Sequence, residues 1–183
     1  FVDWREFHLD TLTAEAEWRL QAVAELDPAH GRYLHVVPVW FNAVTCVDDF
    51  AIAEPCEVFA ATMNGNATAT LQVTSAARGK RCYNVESHLN HGCLSMHQPI
   101  VDAEALRRDF LAQVGLGITG FLFWQYRPEV LGHEAPSWGL VRLDGTDRPV
   151  TRAAAAFWQT LRPHADRLLR ARPEPPRVGI WKS

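Results

Sequence analysis

Seven residues, Arg81-Cys-Tyr-Asn-Val-Glu-Ser87, constrain this chain most. They form a short apolar run that ends on the carboxylate of Glu86, and small, polar and glycine-containing residues follow as far as Cys93. A buried parallel strand has this look when it delivers a side chain to the mouth of an α/β barrel. The pattern recurs in Thr119-Gly-Phe-Leu-Phe-Trp124, a second apolar run that ends on Trp124. The loop after it carries Arg127, His133 and Glu134. Two strand ends that present Glu and Trp to one face are the main functional clue.

The rest of the chain fits around these runs. Residues Asp3 to Leu26 read as a helix with Ala14, Trp18, Ala22 and Leu26 as an apolar stripe, stopped by Asp27-Pro28. Leu34 to Trp40 reads as a strand whose Pro38 costs a ladder donor. A loop with solvated Asp48 and Asp49 leads to a further strand, Glu57 to Ala61. Thr68 to Arg78 alternates like a strand, but its position between two strands and the Gly79 stop favour a helix. Asp102 is a natural N-cap for a helix striped by Leu106, Phe110 and Val114. Thr151 is expected to cap a last helix through Ala154, Trp158 and Leu161, which Pro163 should kink or end. Strands alternating with helices imply parallel pairing, hence a piece of an α/β barrel or open α/β sheet. Arg172 to Pro176 has linker composition, and Arg177 to Trp181 reads as an opening strand of another domain.

Composition narrows the partners. With 183 residues, 48% apolar and 21% charged, the chain can bury a proper core, yet it is shorter than the roughly 250 residues of a complete eight-fold barrel. A formal charge of -3 gives no electrostatic case for nucleic acid or an anionic membrane surface. No apolar stretch approaches the roughly 20 residues that span a bilayer, and the first residues do not read as a signal peptide. Cys46, Cys56, Cys82 and Cys93 form no Cys-x-x-Cys pair and are expected to be free thiols in a reducing, cytoplasmic compartment.

Taken with these features, the Tyr83-Asn-Val-Glu86 strand end, the Phe121-Leu-Phe-Trp124 strand, Gly132-His-Glu134 and Asp144-Gly145 resemble glycoside hydrolase family 42, the β-galactosidases of a retaining (β/α)8 clan. The resemblance implies an α/β fold, a partial (β/α)8 TIM barrel with roughly strands five to eight over residues 1–170. Residues 171–183 would be a linker and the first strand of a following domain. It implies a carbohydrate substrate, Glu86 as nucleophile, Trp124 in the sugar pocket wall and Glu134 as a ligand for sugar hydroxyls. The acid/base would lie upstream, at the end of the fourth strand. No cofactor is implied.

Each residue also has a plainer reading. Glu86 can be a solvated strand-end carboxylate, Trp124 a core residue, and Glu134 an ordinary loop charge. As a nucleophile Glu86 must stay ionised, and Tyr126, Arg127 and Asn42 are donors of the right type. Sugar rings stack on aromatics, so Trp40 and Trp138, at expected loop mouths, join the substrate-binding candidates. His88, His91, Cys93 and His97 cluster without a second pair at zinc spacing, and no metal is expected. The competing function is a non-catalytic carbohydrate-binding or assembly module on the same framework. In either case the chain is expected as a homo-oligomer or as part of a larger protein, because four strands do not close a barrel.

Overall fold

A computed structural model describes residues 1–36, 47–63, 67–89, 102–175 and 177–179. Among the described residues four strands alternate with helices: α1 (Val2–Leu26), β1 (Tyr33–Val36), α2 (Asp49–Ala53), β2 (Val58–Ala61), α3 (Ala67–Ala76), β3 (Arg81–Ser87), α4 (Ala103–Gly115), β4 (Ile118–Phe123) and α5 (Pro149–Leu161). A 3-10 turn that contains Pro163, Arg162–His164, and a short α6 (Ala165–Arg170) follow α5. The strands lie in the order β1-β2-β3-β4 and every pair is parallel. Parallel sheets bury their strands beneath crossover helices, and β2 shows it: Phe59, Ala60 and Ala61 have no exposed surface.

Two apolar clusters fill the space between sheet and helices. The first joins Leu20, Val36, Ile52, Phe59, Val73 and Cys82 with their neighbours from α1 to β4. The second is aromatic and sits under α4 and α5. There the Phe110 ring lies 4.6 Å from Phe121 and 5.2 Å from Trp158. Successive strand side chains point to opposite faces, so Phe121 and Phe123 enter this cluster while Leu122 and Trp124 lie on the other face, exposed. β1 behaves in the same way, with Leu34 and Val36 packed inside and Tyr33 and His35 open.

Local signals hold several elements in place. Asp102 caps α4 by accepting from the Ala105 N–H at 2.7 Å. Asn84, buried on β3, donates to Gln113 of α4 at 2.8 Å and fixes that helix against the sheet. Gly120 makes room for Tyr83: a Cβ at this position would lie 2.6 Å from the Tyr83 ring.

Four expectations need correction. The stripe expected on α1 is not its buried face: Ala16 and Leu20 are buried, whereas Ala14, Trp18 and Leu26 are exposed and Ala22 is half-buried. Asp48 and Asp49 are not a solvated loop pair. Asp48 caps α2, accepting from the Phe50 and Ala51 N–H groups, and Asp49 is buried and accepts from Gln72 Nε2 at 2.8 Å. Thr151 does not cap α5, which starts on Pro149 at its first position. Its hydroxyl donates instead to the Leu140 carbonyl, tying the helix to the preceding loop. Arg177 and Val178 form a bend rather than a strand, and 180–183 lie outside the described residues.

Among the described residues no helix is long and apolar enough to cross a membrane. Cys56 and Cys82 are free and buried, and burial pushes the Cys82 thiol up to about 12. Both are therefore inert thiols of the core.

Candidate active site

The strand register decides what surrounds Glu86. Asn84 pairs with Phe121 and Ser87 with Phe123, so β3 advances three residues where β4 advances two. The extra residue is a bulge at Val85–Glu86, a device that bends a strand and re-aims a side chain. Glu86 thus sits half-buried at the C-terminal end of β3. Beside it the Trp124 N–H donates to the Ser87 carbonyl at 3.1 Å, which places Trp124 at the same end of the adjacent strand.

Three further side chains converge on the Glu86 carboxylate. Thr62, just past β2, donates its hydroxyl hydrogen to Oε2 at 2.9 Å. His35 of β1 has its Nε2 3.5 Å from the same oxygen and 2.6 Å from Thr62 Oγ1. His88 brings Nε2 to 3.3 Å from Oε1. That separation suits an electrostatic contact better than a well-aligned hydrogen bond. The His88 side chain is buried, its ring stacked on Trp138 with centroids 4.6 Å apart. Together these groups set the charge of Glu86. His88 beside it lowers its pKa most, partial burial works the other way, and the Thr62 hydroxyl and the attraction of His35 lower it further. The net result is a carboxyl below its ordinary range, ionised at neutral pH.

A second pair lies on the loop side. The Trp124 indole N–H donates to Glu134 Oε2 at 3.1 Å, so the aromatic at the strand end and the loop carboxylate form one unit. The loop is zipped back onto the strand end by Gln125 N–H to Trp138 O, Leu140 N–H to Gln125 O and Val141 N–H to Tyr126 O. The arrangement offers an ionised carboxylate, an exposed aromatic face and a loop acceptor at one mouth of a parallel sheet. Such a set suits attack on, or recognition of, a polyhydroxylated ring.

Fold comparisons agree with this layout. No protein-family model matches the chain, and no curated protein matches it. Among solved structures, the β-galactosidase of Bacillus circulans sp. alkalophilus superposes with a TM-score of 0.79 at 17% identity, over 92% of this chain and 26% of that one. A GH42 β-galactosidase from G. stearothermophilus gives 0.76 at 14% identity, over 93% and 28%. The cold-adapted β-galactosidase from Rahnella sp. R3 gives 0.76 at 18%, over 90% and 26%. The chain has the fold of part of a β-galactosidase barrel. It spans little more than a quarter of the length of these enzymes. The α/β class and the partial (β/α)8 barrel read from the sequence are therefore those of the structure.

Within this barrel segment the sequence candidates are placed unevenly. Glu86 and Trp124 lie on neighbouring strand ends, and Glu134 bonds to Trp124. Arg127 lies in the following loop, where its Nη2 donates to the Leu143 carbonyl at 3.0 Å. Trp138 is buried, with His88 stacked on its ring. Trp40 and Asn42 lie outside the described residues, as do His91, Cys93 and His97. The described donors around Glu86 are not the Tyr126 and Arg127 expected from residue type. They are Thr62, His35 and His88, which the sequence reading did not connect with it. Only the place of Thr62, just past the Glu57–Ala61 run, hinted at its role.

Proposed function

We propose that the chain is a catalytic-domain segment of a retaining glycoside hydrolase acting on β-galactosides or similar sugars, with Glu86 as the nucleophile. The observation that carries this reading is the bulged, half-buried Glu86 held ionised at a strand mouth beside Trp124. In such a reaction the Glu86 carboxylate attacks the anomeric carbon and forms a glycosyl ester, while an acid protonates the leaving oxygen; water then releases the sugar. Trp124 would offer its exposed face to the apolar side of the ring, and Glu134 would accept from sugar hydroxyls and from the indole at once. Arg127, Trp138, Trp40 and Asn42 complete the proposed substrate-binding set, Trp138 acting from behind His88.

Among the described residues no carboxylate is one of the groups that shift Glu86, whereas retaining hydrolysis needs a second one about 5–5.5 Å away. We assign the acid/base to the end of the strand that precedes this segment in a complete barrel. The chain alone would then lack general acid help typically worth 10²–10⁴ in rate, and it is proposed to be inactive by itself. Residues 171–183 are proposed as the connection to a following domain. A cytoplasmic location is proposed with it, supported by the free Cys56 and Cys82.

The test uses a complete barrel containing this chain and an activated 2-fluoro galactoside, which traps the glycosyl ester. Mass spectrometry should place the label on Glu86, and Glu86→Gln should abolish turnover while aryl galactoside binding survives. Label on another residue, or undiminished turnover, overturns the assignment.

A further inference from the structure

A threonine hydroxyl carries one hydrogen and can give it to only one acceptor. Thr62 Oγ1 lies 2.9 Å from Glu86 Oε2 and 2.6 Å from His35 Nε2. An ionised carboxylate has no hydrogen to offer, so the hydrogen between Thr62 and Glu86 is the threonine's own. The hydrogen in the shorter contact must then come from His35. We infer that His35, Thr62 and Glu86 form a directed relay, with Nε2–H of His35 donating to Thr62 and Thr62 donating to Glu86, and that Thr62 is a positioning residue for the carboxylate.

The geometry supports a built device rather than a chance contact. The three residues come from, or just past, three successive strands, and backbone pairing fixes their spacing: His35 sits opposite Ala60 on β2, and the Thr62 N–H donates to the Val36 carbonyl at 3.3 Å. Thr62 is buried, so its hydroxyl has little access to water as an alternative partner. The relay holds Oε2, while His88 faces Oε1 from the other side. Each carboxylate oxygen therefore has its own imidazole, one direct and one through a hydroxyl. A carboxylate held by a hydrogen bond at Oε2 and faced by an imidazole at Oε1 is restrained in its rotamer, and a nucleophile gains from a preset line of attack. Two consequences are specific. His35 occupies the Nε2–H tautomer, and loss of the Thr62 hydroxyl, not of its volume, releases Glu86.

This inference rests on the proposed role of Glu86 only for its catalytic meaning; the relay itself is tested without turnover. The full 183-residue chain, labelled with ¹⁵N and with ¹³C at glutamate carboxyls, is titrated by NMR as wild type and as Thr62→Val, Thr62→Ser, His35→Gln and His35→Leu. The expected wild-type His35 signal is that of a ring protonated at Nε2. Thr62→Val and His35→Leu should move the Glu86 titration midpoint upward, Thr62→Ser should leave it near wild type, and His35→Gln, which keeps a donor but loses the imidazole's charge, should raise it less than His35→Leu. If the buried valine variant fails to fold, the exposed His35 pair decides the matter. A neutral His35 ring with its hydrogen on Nδ1, or a midpoint that ignores the loss of donors, overturns the relay. A relay found intact in a barrel whose Glu86 takes no glycosyl label would leave this inference standing and remove the catalytic reading.

Discussion

The indole N–H of Trp124 donates to Glu134 Oε2 across 3.1 Å, joining the end of β4 to a loop ten residues further on. The bond lies at the surface, with Trp124 exposed and Glu134 half-buried, so it stabilises the fold little, and its value lies in orienting the aromatic face.

Glu134→Ala should therefore leave stability within about 0.5 kcal/mol of wild type, as surface changes usually do. In a complete barrel the same change should weaken binding of an aryl galactoside, while Glu134→Gln, which retains an acceptor, should weaken it less. Calorimetric titration checks both. Equal affinity in all three proteins would show that Trp124 needs no such partner.

Acid should act on Glu86. Its folded pKa lies below the ordinary value of 4.5, so the stability from its ionised form is complete above about pH 4.5 and is lost as the pH falls through the lowered folded value. Glu86→Gln cannot ionise and should lack this component. Urea unfolding at a series of pH values should show wild type losing more stability than the variant below pH 4.5. Parallel curves would mean that the surrounding imidazoles and hydroxyl do not favour the anion.

Gly120 faces Tyr83 so closely that an added Cβ would lie 2.6 Å from ring atom Cδ1 and 2.9 Å from Cγ. The clash reaches the base of the ring, which a simple swing of the tip does not relieve. Gly120→Ala should cost about 1–3 kcal/mol, typical of overpacking. Because Tyr83 lies three residues before Glu86, the midpoint of the Glu86 titration should move too. Thermal unfolding and carboxyl NMR read the two effects. An unchanged melting temperature would show that β3 and β4 separate freely.

Among the described residues β1 and β4 end the sheet, and about eight parallel strands are needed to close a barrel. Unpaired edges invite strand addition, and Leu122, Tyr33 and Trp18 add exposed apolar area. The isolated chain should therefore self-associate and should not hydrolyse nitrophenyl galactosides. Light scattering and a colorimetric assay check this. A clean monomer, or ready turnover, would show that four strands suffice.

The sequence by itself determined the alternation of strands and helices and the place of Glu86 at a strand end. Those signals are local: an apolar run bounded by polar residues in β3, an N-cap at Asp102, a proline at 163. It also carried Trp124 to the neighbouring strand end, since a single well-marked helix separates the two runs. Tertiary structure alone decided the company Glu86 keeps. Thr62 reaches it across 24 residues of chain and His35 reaches Thr62 across 27, because parallel register sets those strand ends side by side. No periodicity encodes that register, and a bulge at Val85–Glu86 re-aims the decisive side chain within it. The same reason lies behind the expectations that failed. Which face of α1 is buried, and whether Asp49 meets water or Gln72, depend on what packs against them, and residues distant in the chain supply it.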